Sequence, residues 1–261
     1  MAVDSGIIRP SEWSRHAATW VAWPRHRGDW PAWLAQAQRE HCNLVREIAS
    51  GEEVRLLVNS QREENEARLM LALAGANLRR IRFVRRLTER PWLRDSGPIF
   101  VRHAGCRIAL RFRFNGWARD RDHARDAALV KGLARHYGWK TCTVRHKGRI
   151  VVLEGGSIDA NGRGDLLTTE ECLLSRRVQV RNRGFIRADY EEVFRRYLGI
   201  RNVIWLNKGL SGDDTHGHVD DLCRFIGPRT ILLACEKNRR DRNCRILAEN
   251  RERLQDVRLA D

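Results

Sequence analysis

Ile150-Val-Val-Leu-Glu-Gly-Gly-Ser157 opens a segment that continues through Asp165-Leu-Leu-Thr168, then Ala188 to Leu198, then Asn202-Val-Ile-Trp-Leu206. Short apolar runs bounded by turn residues predict strands, and the 188–198 stretch has helical length, so the order is strand, strand, helix, strand. The same order stands upstream. Pro98 to Val101 and Arg107 to Phe114 predict a strand pair, Asp122 to Tyr137 a helix stopped by Gly138, and Thr141 to Val144 a closing strand. A third copy begins downstream with Val219 to Ile226, Thr230 to Ala234 and a helix over Asn243 to Val257, where Leu247, Leu254 and Val257 share one side. No closing strand follows it. Ahead of all three copies, strands are expected at Trp20–Trp23, Val54–Val58 and Ile81–Val84. Helices are expected from Leu34 to Ile48 and from Gln61 to Leu73. A period of this size is an internal repeat, whose units normally hide their apolar faces against one another.

Composition narrows the class of protein. A chain of 261 residues with 42% hydrophobic and 31% charged residues is long enough for a sizeable core, and a single domain over 1–261 is expected. No apolar run is long enough for a membrane span, and Met1 to Pro10 lacks the basic-then-apolar order of a secretory signal, which favours a cytoplasmic protein. The seven cysteines are scattered and contain no Cys-x-x-Cys pair, so neither a disulfide framework nor a cysteine zinc site is indicated. A net charge of +16 raises nucleic-acid binding as an alternative. The arginines are nevertheless spread along the whole chain, and no helix-turn-helix, zinc-finger or ribonucleoprotein signature accompanies them.

Each copy carries polar residues just before or at its first strand: Asp95, then Glu154, then His218 and Asp220. Copies arranged about a common axis would bring these side chains to one place. Alternatively they cap turns, since Asp95 is followed by Ser-Gly-Pro and Glu154 by Gly-Gly. Carboxylates that face one another need a cation between them, and a planar guanidinium offers paired N–H donors to them. Histidine can give a proton to a departing amine and then take one from water. Attack on a guanidinium carbon also calls for a strong nucleophile such as a thiolate.

Several stretches together carry a resemblance to a known family. They are Glu12-Trp-Ser-Arg-His-Ala-Ala-Thr-Trp20 with Trp23-Pro24, Trp92-Leu-Arg-Asp95-Ser-Gly-Pro98, and Phe114-Asn-Gly-Trp117. They continue with Leu153-Glu154-Gly-Gly-Ser157, Leu166-Leu-Thr-Thr-Glu-Glu-Cys-Leu-Leu174, Gly212-Asp-Asp-Thr-His-Gly-His218-Val-Asp220 and Leu247-Ala-Glu-Asn-Arg-Glu-Arg253. In this order the set resembles the agmatine deiminase family, relatives of bacterial peptidylarginine deiminase in the guanidino-modifying superfamily. The resemblance implies a pentein-type α/β propeller of strand-strand-helix-strand units. It implies hydrolysis of agmatine to N-carbamoylputrescine and ammonia, a step of putrescine and polyamine metabolism, with no metal or organic cofactor. Carried over by motif, Asp95 and Asp220 would hold the guanidinium nitrogens, and Glu154 would orient and polarise the group. His218 would be general acid and then general base. Trp92 would be either a cation–π wall, worth about 0.5–2 kcal/mol, or a plain core residue.

The sequence departs from the family at the nucleophile. The family's glycine-rich His-Cys segment has no counterpart among the seven cysteines, and Cys172, inside the Leu166–Leu174 motif, is expected to be structural. The ring is accordingly expected to be incomplete at its C-terminal end, with an inactive chain able at most to bind a guanidinium, exposed edges, and a tendency to oligomerise. His216-x-His218-x-Asp220 also fits the His-x-His-x-Asp ligand pattern of metallo-hydrolases, but the other motifs are left unexplained by a metal site. The grouped Asp95, Glu154, Asp213, Asp214, Asp220 and Asp221 are expected to offset the basic chain locally, within a Debye length of about 8 Å.

Overall fold

The computed structural model describes residues 6–260; the rest of the Met1–Pro10 stretch, residues 1–5, and residue 261 lie outside the described residues. Chain contacts divide the described residues into two units, one formed by residues 15–97 and 122–132, the other by 6–14, 98–121 and 133–260.

The first unit contains β1 (Thr19–Ala22), α1 (Leu34–Gly51), β2 (Val54–Val58), α2 (Gln61–Leu73), β3 (Ile81–Arg85) and the short α3 (Leu93–Ser96). Its strands form a parallel sheet in the order β1-β2-β3. Val54, Leu56, Leu57 and Val58 in the central strand are fully buried, as expected of a parallel strand covered on both faces. Cys42, Val45 and Ala49 of α1 and Ala67 and Leu71 of α2 pack in the same core. Ser60 starts α2 by accepting the Glu63 amide at 3.1 Å, and Glu63 in turn holds Arg25 at 2.8 Å.

His41 on α1 is largely covered, and its ring meets Trp23 edge-on at 5.9 Å. Burial lowers its pKa to about 4. Because the folded value lies below the unfolded value near 6.5, the native state takes up this proton less readily than the unfolded chain. The associated stability is complete above about pH 6.5 and is lost as the pH falls toward 4, to a limit of roughly 3 kcal/mol. His41→Leu should flatten the dependence of urea-unfolding stability on pH between 4 and 6.5. An unchanged slope would refute this assignment.

The second unit repeats one motif. β4 (Ile99–His103) pairs antiparallel with β5 (Cys106–Arg111); α4 (Ala124–Tyr137) follows, its first part belonging to the first unit; and β6 (Thr141–Thr143) then pairs parallel with β5. After a hairpin of β7 (Arg145–His146) and β8 (Arg149–Ile150), the motif recurs. β9 (Asp159–Ala160) pairs antiparallel with β10 (Asp165–Thr169), which is followed by the short α5 (Glu170–Leu173). Helix α6 (Arg187–Leu198) then leads to β11 (Asn202–Leu206), parallel to β10. β12 (Cys223–Gly227) and β13 (Thr230–Leu233) form the antiparallel pair of the third copy, followed by α7 (Arg242–Gln255). Tyr190, Val193, Phe194 and Leu198 of α6 are buried against Leu166, Ile158 and Trp205.

Most expected boundaries shift by one to three residues, and two strands move further. The first strand of the second copy is Asp159–Ala160, not Ile150–Leu153: Ile150 closes the β7–β8 hairpin, and Val152 makes a single bridge to Arg113. The third copy begins at Cys223, because Val219–Asp221 forms a 3-10 turn. The hairpin was not anticipated, although Lys147 (φ +48°) and Gly148 (φ +76°) adopt the paired left-handed backbone of a two-residue turn. Among the described residues no helix is long and apolar enough to cross a membrane.

Candidate functional site

The central strand β10 positions the site. All five of its residues are buried, and its last two are threonines whose hydroxyls reach sideways rather than into the apolar core. Thr168 Oγ1 donates to the Ser157 carbonyl at 2.8 Å, and Thr169 Oγ1 donates to the Gly217 carbonyl at 2.5 Å. Ser157 Oγ donates to the carbonyl of Glu154 at 2.6 Å. One strand end therefore ties down both the turn that carries Glu154 and the loop that delivers His218. Thr169 also caps α5 by accepting the Cys172 amide at 3.1 Å.

The loop before His218 is organised by Asp213. Its carboxylate accepts the Thr215 amide at 2.7 Å, the Thr215 hydroxyl at 2.6 Å, the Gly217 amide at 2.7 Å and the His218 amide at 3.2 Å. Burial tends to raise its pKa, but the Thr215 and Gly217 bonds prevail and hold it below the ordinary carboxylate range. Asp213 thus shapes the loop, whereas Asp214 is largely exposed and pairs with Arg119 at 2.7 Å, and Asp221 is exposed. Of the acidic residues expected to offset the basic chain locally, these three therefore differ in setting: one is half-buried and organises the loop, and two face solvent.

Glu154 and His218 are buried, with 0% and 2% of their surfaces exposed. His218 Nε2 lies 3.8 Å from Glu154 Oε2, and Nδ1 lies 3.8 Å from Asp220 Oδ1. Each of these residues belongs to, or immediately precedes, a 3-10 turn leading into the first strand of its copy: Gly155–Ser157 for Glu154, and Val219–Asp221 for His218 and Asp220. Their sequence equivalence is therefore structural, and in the second unit it brings Glu154, His218 and Asp220 together. In the first unit, Asp95 lies in the comparable helical turn α3. Trp92 begins that turn, stays 45% exposed and stands 5.6 Å from the Trp30 ring, so the plain core reading does not describe it.

Arg181 escaped the sequence reading. It is buried and donates through Nε to both Glu154 oxygens, at 3.2 and 3.3 Å, while its outer nitrogens reach the carbonyls of Gln179 at 3.0 Å and Thr215 at 2.6 Å. Burial alone would raise the Glu154 pKa, but the Arg181 charge and then His218 outweigh it and keep the carboxyl ionised below its ordinary range. Gln179 (φ +41°) and His216 (φ +63°) have left-handed backbones on either side of this network. Gln179 Nε2 bridges the carbonyls of Trp117 and Asp214, each at 3.0 Å. The Phe114–Trp117 motif thereby reaches the site, with its two rings in edge-on contact at 5.0 Å.

Cys172 also enters the site. Donor atoms of Glu154, Cys172 and His218 all lie within 4.8 Å of one another, and this is the sole such group of three among the described residues. The sequence suggested His216 and Asp220 as metal partners of His218; His216 is absent from the group and Cys172 takes a place in it. Chemically, the arrangement is an imidazole between two carboxylates, one of them clamped by an arginine. Such a histidine can accept a proton at Nε2 while its Nδ1–H points toward Asp220. With Glu154, Asp213 and Asp220 set against Arg181, the acidic groups are in excess here despite the net charge of +16 of the chain.

The repeated strand-strand-helix-strand sheets and this buried acid–imidazole set define a mixed α/β protein of deiminase fold. The chain belongs to the Porphyromonas-type peptidyl-arginine deiminase family, whose model matches residues 8–261. It is 34% identical over 250 residues to the agmatine deiminase of Ectopseudomonas mendocina, covering 91% of this chain and 63% of that protein. It is 34% identical over 241 residues to the agmatine deiminase of Stutzerimonas stutzeri, with the same coverage. The chain therefore spans 63% of the length of these curated relatives. A solved C. jejuni agmatine deiminase carrying a cysteine-to-serine substitution, with substrate bound, superposes with a TM-score of 0.82 at 27% identity, covering 95% of this chain and 70% of that one. The Enterococcus faecalis agmatine deiminase superposes with a TM-score of 0.86 at 24% identity, covering 99% and 68%.

Proposed function

We propose that the chain binds the guanidinium group of agmatine and belongs to an amidine hydrolase that releases ammonia and N-carbamoylputrescine. The observation that carries this reading is the Glu154–His218–Asp220 set, its first two members buried and the third half-buried, acidic in balance although the chain is basic. In the proposed mechanism, Asp220 and Glu154 accept N–H bonds from the flat cation, and Arg181 keeps Glu154 ionised for that purpose. When a thiolate has attacked the guanidinium carbon, His218 gives its proton to the departing amine. His218 then takes a proton from the water that releases the ureido product. Asp95 and Trp92 remain in the proposal as guanidinium contacts on the strength of their shared motif. None of the seven cysteines stands in the family's glycine-rich His-Cys context, so for these 261 residues the proposal is binding without steady turnover. The setting would be cytoplasmic putrescine synthesis.

Calorimetric titration of the chain with agmatine tests the reading. One equivalent should bind, putrescine should compete weakly because it lacks the guanidinium, and Asp220→Asn should weaken binding about tenfold or more through loss of a charge-assisted bond. Equal affinity for agmatine and putrescine, or an indifferent Asp220→Asn, would defeat it. Ammonia release measured in the same samples should stay at background. Sustained release abolished by His218→Ala would establish the hydrolase and overturn the statement that these residues alone do not turn over.

A further inference from the structure

The proposed deimination gives Cys172 no task, yet its sulfur lies with two donors of the proposed site. A carboxylate oxygen of Glu154, Sγ of Cys172 and a ring nitrogen of His218 lie within 4.8 Å of one another, and all three residues are buried. Carboxylate, thiolate and imidazole are the three ligand types of protein-bound zinc. Around a tetrahedral ion with bonds of about 2.0–2.3 Å, neighbouring donors stand roughly 3.3–3.7 Å apart. Rotation of the side chains by about an ångström therefore suffices to close the triangle.

We propose that Glu154, Cys172 and His218 bind a Zn²⁺ ion, leaving a fourth position for water. Two features of the surroundings support an ion at this position. Asp220 lies on the Nδ1 side of the His218 ring at 3.8 Å, where a small approach would form the carboxylate–histidine hydrogen bond that orients a metal-bound imidazole. The local charge also favours a cation. Glu154, the Cys172 thiolate, Asp213, which bonds the His218 amide, and Asp220 are set against Arg181, so a Zn²⁺ ion offsets most of the excess negative charge. Arg181 donates to Glu154 through Nε, and a carboxylate has further lone pairs for a metal. On binding, the Cys172 S–H bond breaks, its electron pair forms the Zn–S bond, and the proton leaves to solvent. The ion would occupy Glu154 and His218 and so exclude a guanidinium; this last point rests on the proposed function, whereas the metal site does not.

The test uses the full chain, stripped with chelator and titrated with Co²⁺ and then Zn²⁺. One tight equivalent is expected, with a tetrahedral cobalt spectrum and a thiolate-to-cobalt charge-transfer band that Zn²⁺ displaces. Cys172→Ser should remove the band and His218→Ala the tight equivalent, while Asp220→Asn should weaken binding about tenfold. A cobalt complex of the unmutated protein without a thiolate band would overturn the proposal even if the variants failed to fold. So would tight binding retained in both Cys172→Ser and His218→Ala, since the ion would then sit on other cysteines. In a separate arm, saturating agmatine should weaken the apparent zinc affinity. Zinc binding indifferent to an agmatine concentration that calorimetry shows to be saturating would overturn the exclusion of guanidinium by the metal.

Discussion

Arg181→Met is expected to cost about 3–5 kcal/mol of folding stability, the range for removing one partner of a buried ion pair. The loss follows from what is left behind. Glu154 has no exposed surface, and its Arg181 partner has none at its side chain either, so water cannot replace the guanidinium. The carboxyl would respond by holding its proton to higher pH, which partly relieves the penalty but removes the negative charge proposed to face a substrate. The carbonyls of Gln179 and Thr215 lose donors at the same time. Urea unfolding at neutral pH measures the effect, and the double variant Arg181→Met/Glu154→Gln should recover a large part of it, because the remaining amide is neutral. A single-variant loss under about 1 kcal/mol would mean that water reaches the pair. The comparison residue is Arg62, whose pair with Glu66 is solvent-exposed at 3.0 Å and whose replacement should leave the transition unmoved.

Arg181 also shows where the sequence stopped being readable. Periodicity located Val54–Val58 and Gln61–Leu73 at their observed bounds, because a buried parallel strand and a capped helix leave their pattern in consecutive residues. It revealed the repeat and, through it, the equivalent positions of Asp95, Glu154, His218 and Asp220. Asp159–Ala160 was missed because two residues of strand carry no period, and the stronger apolar run Ile150–Leu153 drew the assignment to itself. Arg181 lies in a basic run, Arg176 to Arg183, whose members look alike in one dimension. Only the tertiary fold selects Arg181 for burial. Cys172 presents the converse case, since its motif suggested a structural role and said nothing of its neighbours across the fold.

Two glycines in the last loop decide whether His218 arrives where Glu154 waits. An added Cβ on Gly209 would lie 2.4 Å from Gly217 Cα, and one on Gly217, itself at φ +95°, would lie 3.1 Å from Glu171 Cβ. The backbone at 209 passes directly over the residue before His218, and Glu171 fastens it there by accepting the Gly209 amide at 2.9 Å. Because the obstacle to a side chain is main chain and not a flexible tip, it cannot swing aside. Gly209→Ala should therefore cost about 3 kcal/mol, the upper end for forced overpacking, and should displace the loop from the Thr169 hydroxyl that grips Gly217. The amide of His218, bonded to Asp213 at 3.2 Å, should exchange faster with solvent as the loop loosens. Gly212→Ala separates sterics from backbone strain: the residue has φ +97° in the same loop but open space around its would-be Cβ, so about 1 kcal/mol is expected and the His218 amide should keep its protection. Hydrogen exchange and urea unfolding of the two variants measure the difference. Equal costs, or undisturbed His218 protection in Gly209→Ala, would show that the loop has room the contact distances deny it.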